Sequence, residues 1–371
     1  MSNNTDYELP SAAERNVTLG FYIATLVIGF AGNSLVIAVI TGKKHKRSIY
    51  DLFILNLAIS DLSFILFSMP IFIFEHVRGI YKTLYYCRLV QPVLTIFYFL
   101  SIFTITSMAI HRCRLITNPY KPKMRKRSAY IWIAAIWISS FIIVLPLSIV
   151  TKDKDGVCQE NWPSLNHRKA YTLALSILQF LLPLCIIAAA YVRIGIYLWR
   201  STIPQSSLSE AKKKKARKRR KENIQVIKTL ATIVILFAIC LLPGQIAWLL
   251  FDFGREQEWK VAFAIFKFSG ILDCLHACVN PIIYGLLTEQ FRREYIRYFS
   301  YCFFCGRKQV NMAQESQLAE STVNTMSTPT MKRKITADTV EAVPVHSAES
   351  RECKELHAGM DFSSPGDSFS L

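Results

Sequence analysis

Seven of the polar side chains within long apolar stretches of this sequence stand out: Asn33, Asn56, Asp61, Ser101, Asp273, His276 and Asn280. Asparagine, serine and histidine commonly form hydrogen bonds between helices, each worth about 1 kcal/mol. A carboxylate such as Asp61 is different, because burying it without a cation, a proton or several hydrogen-bond donors is costly. These residues are candidates for a buried polar network, and Asp61 is a candidate functional group.

The apolar stretches around these residues are long enough to cross a lipid bilayer. Of the 371 residues, 52% are hydrophobic and 19% are charged, which is more apolar than an ordinary soluble domain. A helix of about 20 residues crosses roughly 30 Å of hydrocarbon, and a lipid-exposed span must be helical because the bilayer cannot bond free backbone groups. Seven such stretches occur, at 20–42, 50–75, 87–116, 129–150, 170–199, 224–251 and 261–287.

The predicted fold is an all-α membrane protein, a seven-transmembrane helix bundle with a short amphipathic eighth helix. The first stretch follows an acidic polar segment and contains Gly29, Gly32 and Asn33, so we expect a retained span and not a cleaved signal peptide. The predicted regions are an extracellular N-terminal segment, the bundle, the amphipathic helix and a cytoplasmic disordered tail, at 1–19, 20–287, 288–301 and 302–371.

The two regions after the bundle have distinct compositions. Residues 288–299, TEQFRREYIRYF, alternate aromatic and basic side chains at helical spacing, which is typical of a helix lying on the inner leaflet. Cys302 and Cys305 follow, where palmitoylation would add an anchor, although free thiols are the alternative. Residues 309–371 are poor in aromatic residues and rich in Ser, Thr and Glu, which predicts disorder.

Basic residues predict the orientation in the membrane. They cluster after span one, after span three and before span six, where KKKKARKRRK occupies 212–221. The positive-inside rule places these loops in the cytoplasm, with the N-terminus outside and the C-terminus inside. The net charge of +18 also raises nucleic-acid binding, but no soluble nucleic-acid module surrounds these residues. Topology and affinity for anionic membrane lipids explain the charge better.

Cysteines and glycosylation motifs agree with this orientation. Of ten cysteines, Cys87 opens span three and Cys158 lies in the loop after span four. Both are on the oxidising side, so they are the expected disulfide pair. Asn3 (NNT) and Asn16 (NVT) are glycosylation acceptors on the same side, although such triplets are frequent by chance.

Several short motifs occur in order, one for each expected span. They are GNSLV (32–36), NLAISDL (56–62), Cys87, HRC (111–113), Pro183 and NPIIY (280–284). Together they resemble the rhodopsin-like, or class A, G-protein-coupled receptors, over roughly residues 20–305. The resemblance implies a plasma-membrane receptor, not an enzyme, that signals through a heterotrimeric G protein. Its tail would be phosphorylated by receptor kinases and then bound by arrestin.

The resemblance also implies an ion site. Asn33, Asp61 and Asn280 would form the polar cluster that joins spans one, two and seven. Asp61 and Ser101 resemble the sodium site of the family, where a hard cation held by oxygen ligands neutralises the buried carboxylate. No cofactor and no other metal is expected.

Two further sets of residues would carry the signal. Ile102, Pro183 and Phe237 match the packing triad that shifts on activation. Leu241, two residues before Pro243, stands where the family usually has Trp, so the large aromatic toggle is absent. The residues that would meet the G protein or support that contact are Arg112, Tyr191 and Tyr284.

Resemblance narrows the ligand to a peptide. Leu94 stands where amine receptors have Asp, so a small protonated amine would lack its partner. Residues 158–172 resemble the second outer loop of neuropeptide FF and other RFamide receptors, and spans four and five resemble the neuropeptide Y neighbourhood. In that group an acid near the outer end of span six pairs with an arginine of an amidated peptide, and Asp252 falls there.

Two other acids could contribute to the same ligand-binding region at the outer ends of the spans. Glu160, beside Trp162, and Glu75, at the end of span two, would add negative charge there. An ordinary solvated loop charge is an equally open interpretation for Glu75 and Glu160.

Other functions remain as alternatives. A class A receptor for a non-peptide ligand and a constitutively active orphan receptor fit the same motifs. A seven-span enzyme would need clustered metal ligands or HExxH, and neither is present in the sequence. A transporter would show a repeat between its halves, and an opsin would need a lysine in the middle of span seven, whereas Lys267 lies nearer the outer end.

Arg112 follows His111 and not a carboxylate. Histidine is neutral or positive near physiological pH, and neither form holds an arginine as an aspartate would. We therefore expect raised basal signalling, which His111→Asp should lower. If it does not, the restraint on Arg112 lies elsewhere, with Glu222 or Asn223 at the start of span six as candidates.

Overall fold

The computed structural model describes residues 12–43, 47–79, 82–120, 122–200 and 210–300. Within these residues, seven helices are long and apolar enough to cross a membrane. They are α1 (Ala12–Thr41), α2 (Ile49–Arg78), α3 (Tyr86–Thr117), α4 (Lys126–Val150), α5 (Leu165–Arg200), α6 (Glu210–Phe253) and α7 (Glu256–Leu287). Asn3, Cys302, Cys305, the tail and the side chain of Glu222 lie outside the description.

The helices extend beyond the apolar stretches that predict them. Helix α1 begins at Ala12, so Asn16 is an exposed residue within it and not part of a separate leading segment. Helix α6 continues back through the basic run to Glu210. Lysine, arginine, glutamate and alanine favour helix, so a helix does not end where its apolar section meets water.

Helix α2 begins with a capping box. Ser48 Oγ accepts a hydrogen bond from the Asp51 backbone N–H at 3.1 Å, and Asp51 Oδ2 accepts one from the Ser48 N–H at 2.8 Å. The Lys43 ammonium lies 2.6 Å from the other carboxylate oxygen of Asp51. These contacts satisfy free N–H groups at the helix start and fix the adjacent Tyr50 in the first turn.

The helices form a closed bundle. Helix α1 contacts α2 and α7, α2 contacts α3, α3 contacts α4 and α5, α5 contacts α6, and α6 contacts α7. A Cβ on Gly29 would lie 2.3 Å from Ile65 Cδ1 and 2.8 Å from Cys278 Sγ, and one on Gly32 would lie 2.9 Å from Pro281 Cβ. These glycines therefore allow α1 to approach α2 and α7 closely.

Hydrogen bonds between side chains join the centre of the bundle. Trp137 Nε1 of α4 donates to Asn56 Oδ1 of α2 at 3.0 Å, and Asn56 Nδ2 donates to Thr104 Oγ1 of α3 at 2.7 Å. Asn56 is thus a bridge among three helices, a structural use of one of the polar residues within the spans.

A two-stranded antiparallel hairpin, which is not among the predicted elements, follows α4. Strands β1 (Thr151–Lys154) and β2 (Val157–Glu160) are joined at Asp155 and Gly156, both with positive φ, as in a tight two-residue hairpin turn. The predicted disulfide between Cys87 and Cys158 is present and ties β2 to α3. We call this end of the bundle the disulfide end and the opposite end, where Arg112 lies, the arginine end.

Contact density divides the chain into two units, 1–295 and 296–371. Residues 289–295 of the first unit are helical, and the Phe291 ring stacks on Tyr284 at 5.2 Å between centroids. Of the second unit, only residues 296–300 are described, and they are helical. Residues 289–300 of the predicted eighth segment therefore have helical backbone, and binding of this segment to a lipid surface stays a prediction.

Candidate functional site

Asp61 is fully buried and accepts hydrogen bonds from two other helices. Ser101 Oγ of α3 donates to Oδ1 at 2.7 Å, and Asn280 Nδ2 of α7 donates to Oδ2 at 2.7 Å. Two neutral donors leave part of the carboxylate's acceptor capacity unused. Asp61 and the Ser101 hydroxyl are hard oxygen ligands, which fits a small hard cation such as sodium.

Asn33 lies beside this pair but bonds to main-chain oxygen atoms. Its Nδ2 donates to the Gly29 carbonyl at 3.0 Å and to the Ala277 carbonyl of α7 at 2.9 Å. The structure therefore brings Asn33, Asp61 and Asn280 to the same level of the bundle, and Asn33 joins α1 to α7 without touching the carboxylate through a hydrogen bond.

At the arginine end, Arg112 packs on an aromatic ring. Its guanidinium carbon lies 3.8 Å from the centroid of Tyr50, and the buried Nε has no hydrogen-bond partner among the described residues. His111 faces Phe53, with 6.0 Å between ring centroids. Asp51, the acid next to Tyr50, forms an ion pair with Lys43 and not with Arg112. A cation–π contact thus replaces an ion pair as the observed restraint on Arg112.

The two predicted switch tyrosines are buried but not hydrogen-bonded. The hydroxyls of Tyr191 and Tyr284 have no partner among the described residues. Because an unsatisfied buried hydroxyl is unfavourable, both are poised to form bonds in another arrangement of the helices. Sequence reasoning missed Tyr50; its signal was an aromatic residue in the first turn of span two, combined with an arginine that lacks a neighbouring acid.

The predicted transmission residues lie in the bundle interior. Ile102, Pro183, Phe237 and Leu241 are buried, and Pro243 lies within α6. The Phe237 ring is edge-on to His276 at 5.9 Å, and His276 is 4.9 Å from Tyr98. These aromatic rings form a continuous series of contacts from the disulfide-end cavity to Phe237. They fill space beside Leu241, which replaces an aromatic residue, and the sequence alone does not show this.

A cavity of about 320 Å³ opens at the disulfide end. Residues of α3, α4, α5, α6, α7 and β2 border it, and Gln245 Nε2 donates to Gln179 Oε1 at 3.2 Å across two of these helices. Gln179 lies in a π-helical turn of α5, Ile177–Leu181, a distortion that often marks functional sites. Among the described residues that border it, Glu160 and Asp273 are acids, and none is Lys, Arg or His.

Asp252, the predicted ligand acid, is already paired within the protein. Arg168 Nη2 lies 2.5 Å from Oδ1, and Thr172 Oγ1 donates a short hydrogen bond to Oδ2. Asp252 is 7% exposed, and it does not border the cavity, although Thr172 does. Arg168 also lies over the Phe251 ring at 5.1 Å. The sequence offers the run RKAYT but no indication that its arginine reaches α6.

The other predicted ligand residues are placed differently from one another. Glu160 borders the cavity and accepts a hydrogen bond from Trp162 Nε1 at 2.6 Å. Glu75 pairs with Lys82 at 2.8 Å, where both side chains are partly exposed. Leu94 packs against the buried cluster of α2 and α7 that includes Phe64. Glu75, Leu94 and Trp162 are not among the residues that border the cavity.

The chain is similar in sequence to known seven-transmembrane receptors. A family model described as 7 transmembrane receptor (rhodopsin family) matches residues 32–284. Neuropeptide FF receptor 1 of Rattus norvegicus is 30% identical over 294 residues, which cover 74% of this chain and 68% of that receptor. Galanin receptor type 1 of Rattus norvegicus is 28% identical over 344 residues, covering 88% of this chain and 96% of that receptor.

A solved structure shares the fold. The crystal structure of squid rhodopsin matches with a TM-score of 0.70 and 24% identity, covering 81% of this chain and 89% of the rhodopsin chain. At this level of identity the match shows the fold alone.

Proposed function

The chain belongs to the rhodopsin family of seven-transmembrane receptors, and on that premise we propose that it is a receptor for an amidated, RFamide-like neuropeptide that signals through a heterotrimeric G protein. As a member of this family it is a multi-pass receptor of the plasma membrane and not an enzyme. Similarity to the neuropeptide FF and galanin receptors supports a peptide ligand.

One observation carries the choice of ligand chemistry. Within the part of the chain that the structure describes, the cavity at the disulfide end is bordered by two acids and by no basic residue. A site with this charge attracts a cation and disfavours an anion. Its bordering amides and hydroxyls, among them Gln91, Gln179 and Gln245, can bond the polar groups of a peptide terminus. A peptide that ends in arginine followed by an amidated residue combines these properties.

The orientation belongs to the same proposal. Positive charge on the segments at the arginine end supports a cytoplasmic position for that end. The cavity would then open to the outside, where the Cys87–Cys158 disulfide is stable. The exposed Asn16 would then be accessible for glycosylation. Basic residues at the inner ends of the helices would contact anionic lipids.

Signalling would be a population shift between two arrangements of the helices. A peptide transmits a signal only if it binds the arrangement competent for the G protein more tightly than the resting one. Arg112 leaves the Tyr50 ring in that arrangement, and the unsatisfied hydroxyls of Tyr191 and Tyr284 gain partners near it. Sodium at Asp61 would favour the resting arrangement, and phosphorylation of the tail by receptor kinases would recruit arrestin.

A screen for activation tests this proposal. Cells that express the receptor are exposed to amidated peptides ending in Arg-Phe and to matched peptides with a free carboxyl terminus, and G-protein activation is recorded. We expect activation by amidated peptides and a weaker response from Asp252→Ala. Activation by a lipid or an amine, with no response to any of these peptides, would show that the ligand class is wrong.

A further inference from the structure

We propose that Asp273, at the inner part of the cavity, is the carboxylate that binds the cationic group of the ligand, in place of the Asp252 side chain near the rim. The inference rests on the proposed function as a receptor for a cationic peptide and specifies which acid of this receptor reads the charge. The ligand group is a guanidinium or an ammonium ion, supplied either by an arginine side chain or by the N-terminus of the peptide.

Unlike Asp252 and Glu160, Asp273 has no side-chain partner among the described residues. Its carboxylate forms no hydrogen bond and no ion pair with any other residue in the part of the chain that the structure describes. By contrast, Asp252 is held by Arg168 and Thr172, and Glu160 is held by Trp162. A partly buried carboxylate that faces a cavity without a donor is unfavourable until a cation enters.

Both carboxylate oxygens of Asp273 face the wall formed by α6. They lie 3.7 Å from the position that a Cβ of Gly244 would occupy. Because Gly244 has no side chain, nothing of that residue stands over the carboxylate. Leu241, one turn before Gly244, also borders the cavity and is smaller than the Trp usual at its position, so the inner part of the cavity is open to a long side chain.

The position of Asp273 fits the end of a peptide. It lies roughly 25 Å along α7 from the first residue of that helix, whereas Asp252 is one residue from the end of α6. A cavity of about 320 Å³ is at the small end of the range for ligand sites. It admits one or two terminal residues with their side chains, while the rest of the peptide lies against the hairpin β1–β2.

Within the described part of the chain, no basic side chain borders the cavity beside Asp273. Arg168, an arginine at the same end of the bundle, is paired with Asp252. A ligand guanidinium that reaches Asp273 can form the charge-assisted, bidentate pair that binds arginine most strongly. The Tyr98 ring, which also borders the cavity, adds an aromatic face suited to a cation.

Neutral analogues of the ligand give a direct test. The full-length receptor and Asp273→Asn are compared for activation by an amidated peptide ending in Arg-Phe, by the same peptide with citrulline for arginine, and by its N-acetylated form. Asp153→Asn, which removes an exposed acid of β1, is the matched control, and surface expression is measured for each variant.

We expect Asp273→Asn to lower the potency of the arginine peptide about 10- to 100-fold and to change the response to the citrulline peptide little. If acetylation, and not citrulline, abolishes the difference between the two receptors, the N-terminal ammonium is the group bound. If Asp273→Asn loses as much with the neutral peptides as with the charged one, or loses nothing, the proposal is wrong.

A second measurement separates this proposal from the ligand class. Binding of the acetylated dipeptide amide Arg-Phe to purified receptor is followed by thermal stability, with the citrulline dipeptide as control. A stabilisation that requires both arginine and Asp273 supports the site even if no longer peptide activates the receptor, which would overturn the proposed function alone. If this dipeptide and its unacetylated form both stabilise Asp273→Asn as much as the unsubstituted receptor, the proposed site is wrong.

Discussion

The guanidinium carbon of Arg112 lies 3.8 Å from the centroid of the Tyr50 ring. This contact joins the inner end of α3 to the first turn of α2, at the place where an adjacent acid would otherwise hold the arginine. A cation over an aromatic face is worth about 0.5 to 2 kcal/mol, depending on its exposure to water. Arg112 is therefore restrained, but more weakly than by a well-formed buried ion pair.

Removing the Tyr50 ring should raise ligand-free signalling. Tyr50→Ala deletes the aromatic face, and we expect basal G-protein activation to rise about two- to tenfold. Tyr50→Phe keeps the ring and should remain close to the unsubstituted receptor. The measurement is basal nucleotide exchange divided by surface expression. Equal basal activity in the alanine variant would show that the ring does not restrain Arg112.

An added acid should have the opposite effect. In His111→Asp, a carboxylate next to Arg112 competes for the guanidinium in a partly buried setting, so we expect basal signalling to fall about two- to fivefold. His111→Asn is the control, since it changes size and polarity without adding charge. If aspartate and asparagine give the same basal activity as histidine, the restraint on Arg112 does not depend on this position.

Sodium should weaken agonist binding through Asp61. Because a cation beside the carboxylate would favour the resting arrangement, we expect about fivefold weaker agonist binding in sodium chloride than in potassium chloride at equal ionic strength. Asp61→Asn removes the charge and should bind agonist equally in both salts. The measurement is competition binding on membranes. Identical affinities in the two salts for the unsubstituted receptor would contradict the sodium site.

The pair Arg168 and Asp252 should behave as a unit. In Asp252→Asn, Arg168 loses its carboxylate and adds positive charge near the cavity, so we expect the potency of a cationic peptide to fall about tenfold. The double variant Arg168→Gln with Asp252→Asn should recover most of this loss, because neither charge remains. Concentration–response curves for the unsubstituted receptor, the two single variants and the double variant give the coupling energy between Arg168 and Asp252. A double variant as weak as Asp252→Asn would mean that Asp252 contacts the ligand directly.

The spans can be predicted from the sequence because each depends only on its own stretch of residues. An apolar stretch of sufficient length specifies a helix in lipid whatever its neighbours are, so the seven predicted positions match the seven helices. The hairpin β1–β2 is harder to predict because its strands are short and mostly polar. Its only sequence signal is the Asp155–Gly156 turn. The early start of α1 at Ala12 is likewise hidden by the polar residues in its first turns.

Several residues of the candidate site were predictable from the sequence, but Tyr50 and Arg168 were not, and neither were most of the contacts. The motifs single out Asp61, Asn33 and Asn280, yet Asn33 bonds to the Ala277 carbonyl, and a main-chain acceptor leaves no mark in the sequence. Arg168 and Asp252 lie in different helices, and their pairing depends on how α5 and α6 pack at the disulfide end. Asp273 stands out in the sequence as an acid within an apolar stretch, but its lack of a partner among the described residues is a property of the folded bundle.

Nucleotide exchange on a purified G protein is the most direct test that this protein is a peptide receptor coupled to a G protein. The receptor, reconstituted in lipid without other proteins, is mixed with heterotrimeric G protein and an amidated peptide ending in Arg-Phe, and the rate of nucleotide exchange is recorded against peptide concentration. We expect a saturable acceleration that is lost with the citrulline peptide. An exchange rate that no such peptide changes, in a receptor preparation that another ligand does activate, would contradict it.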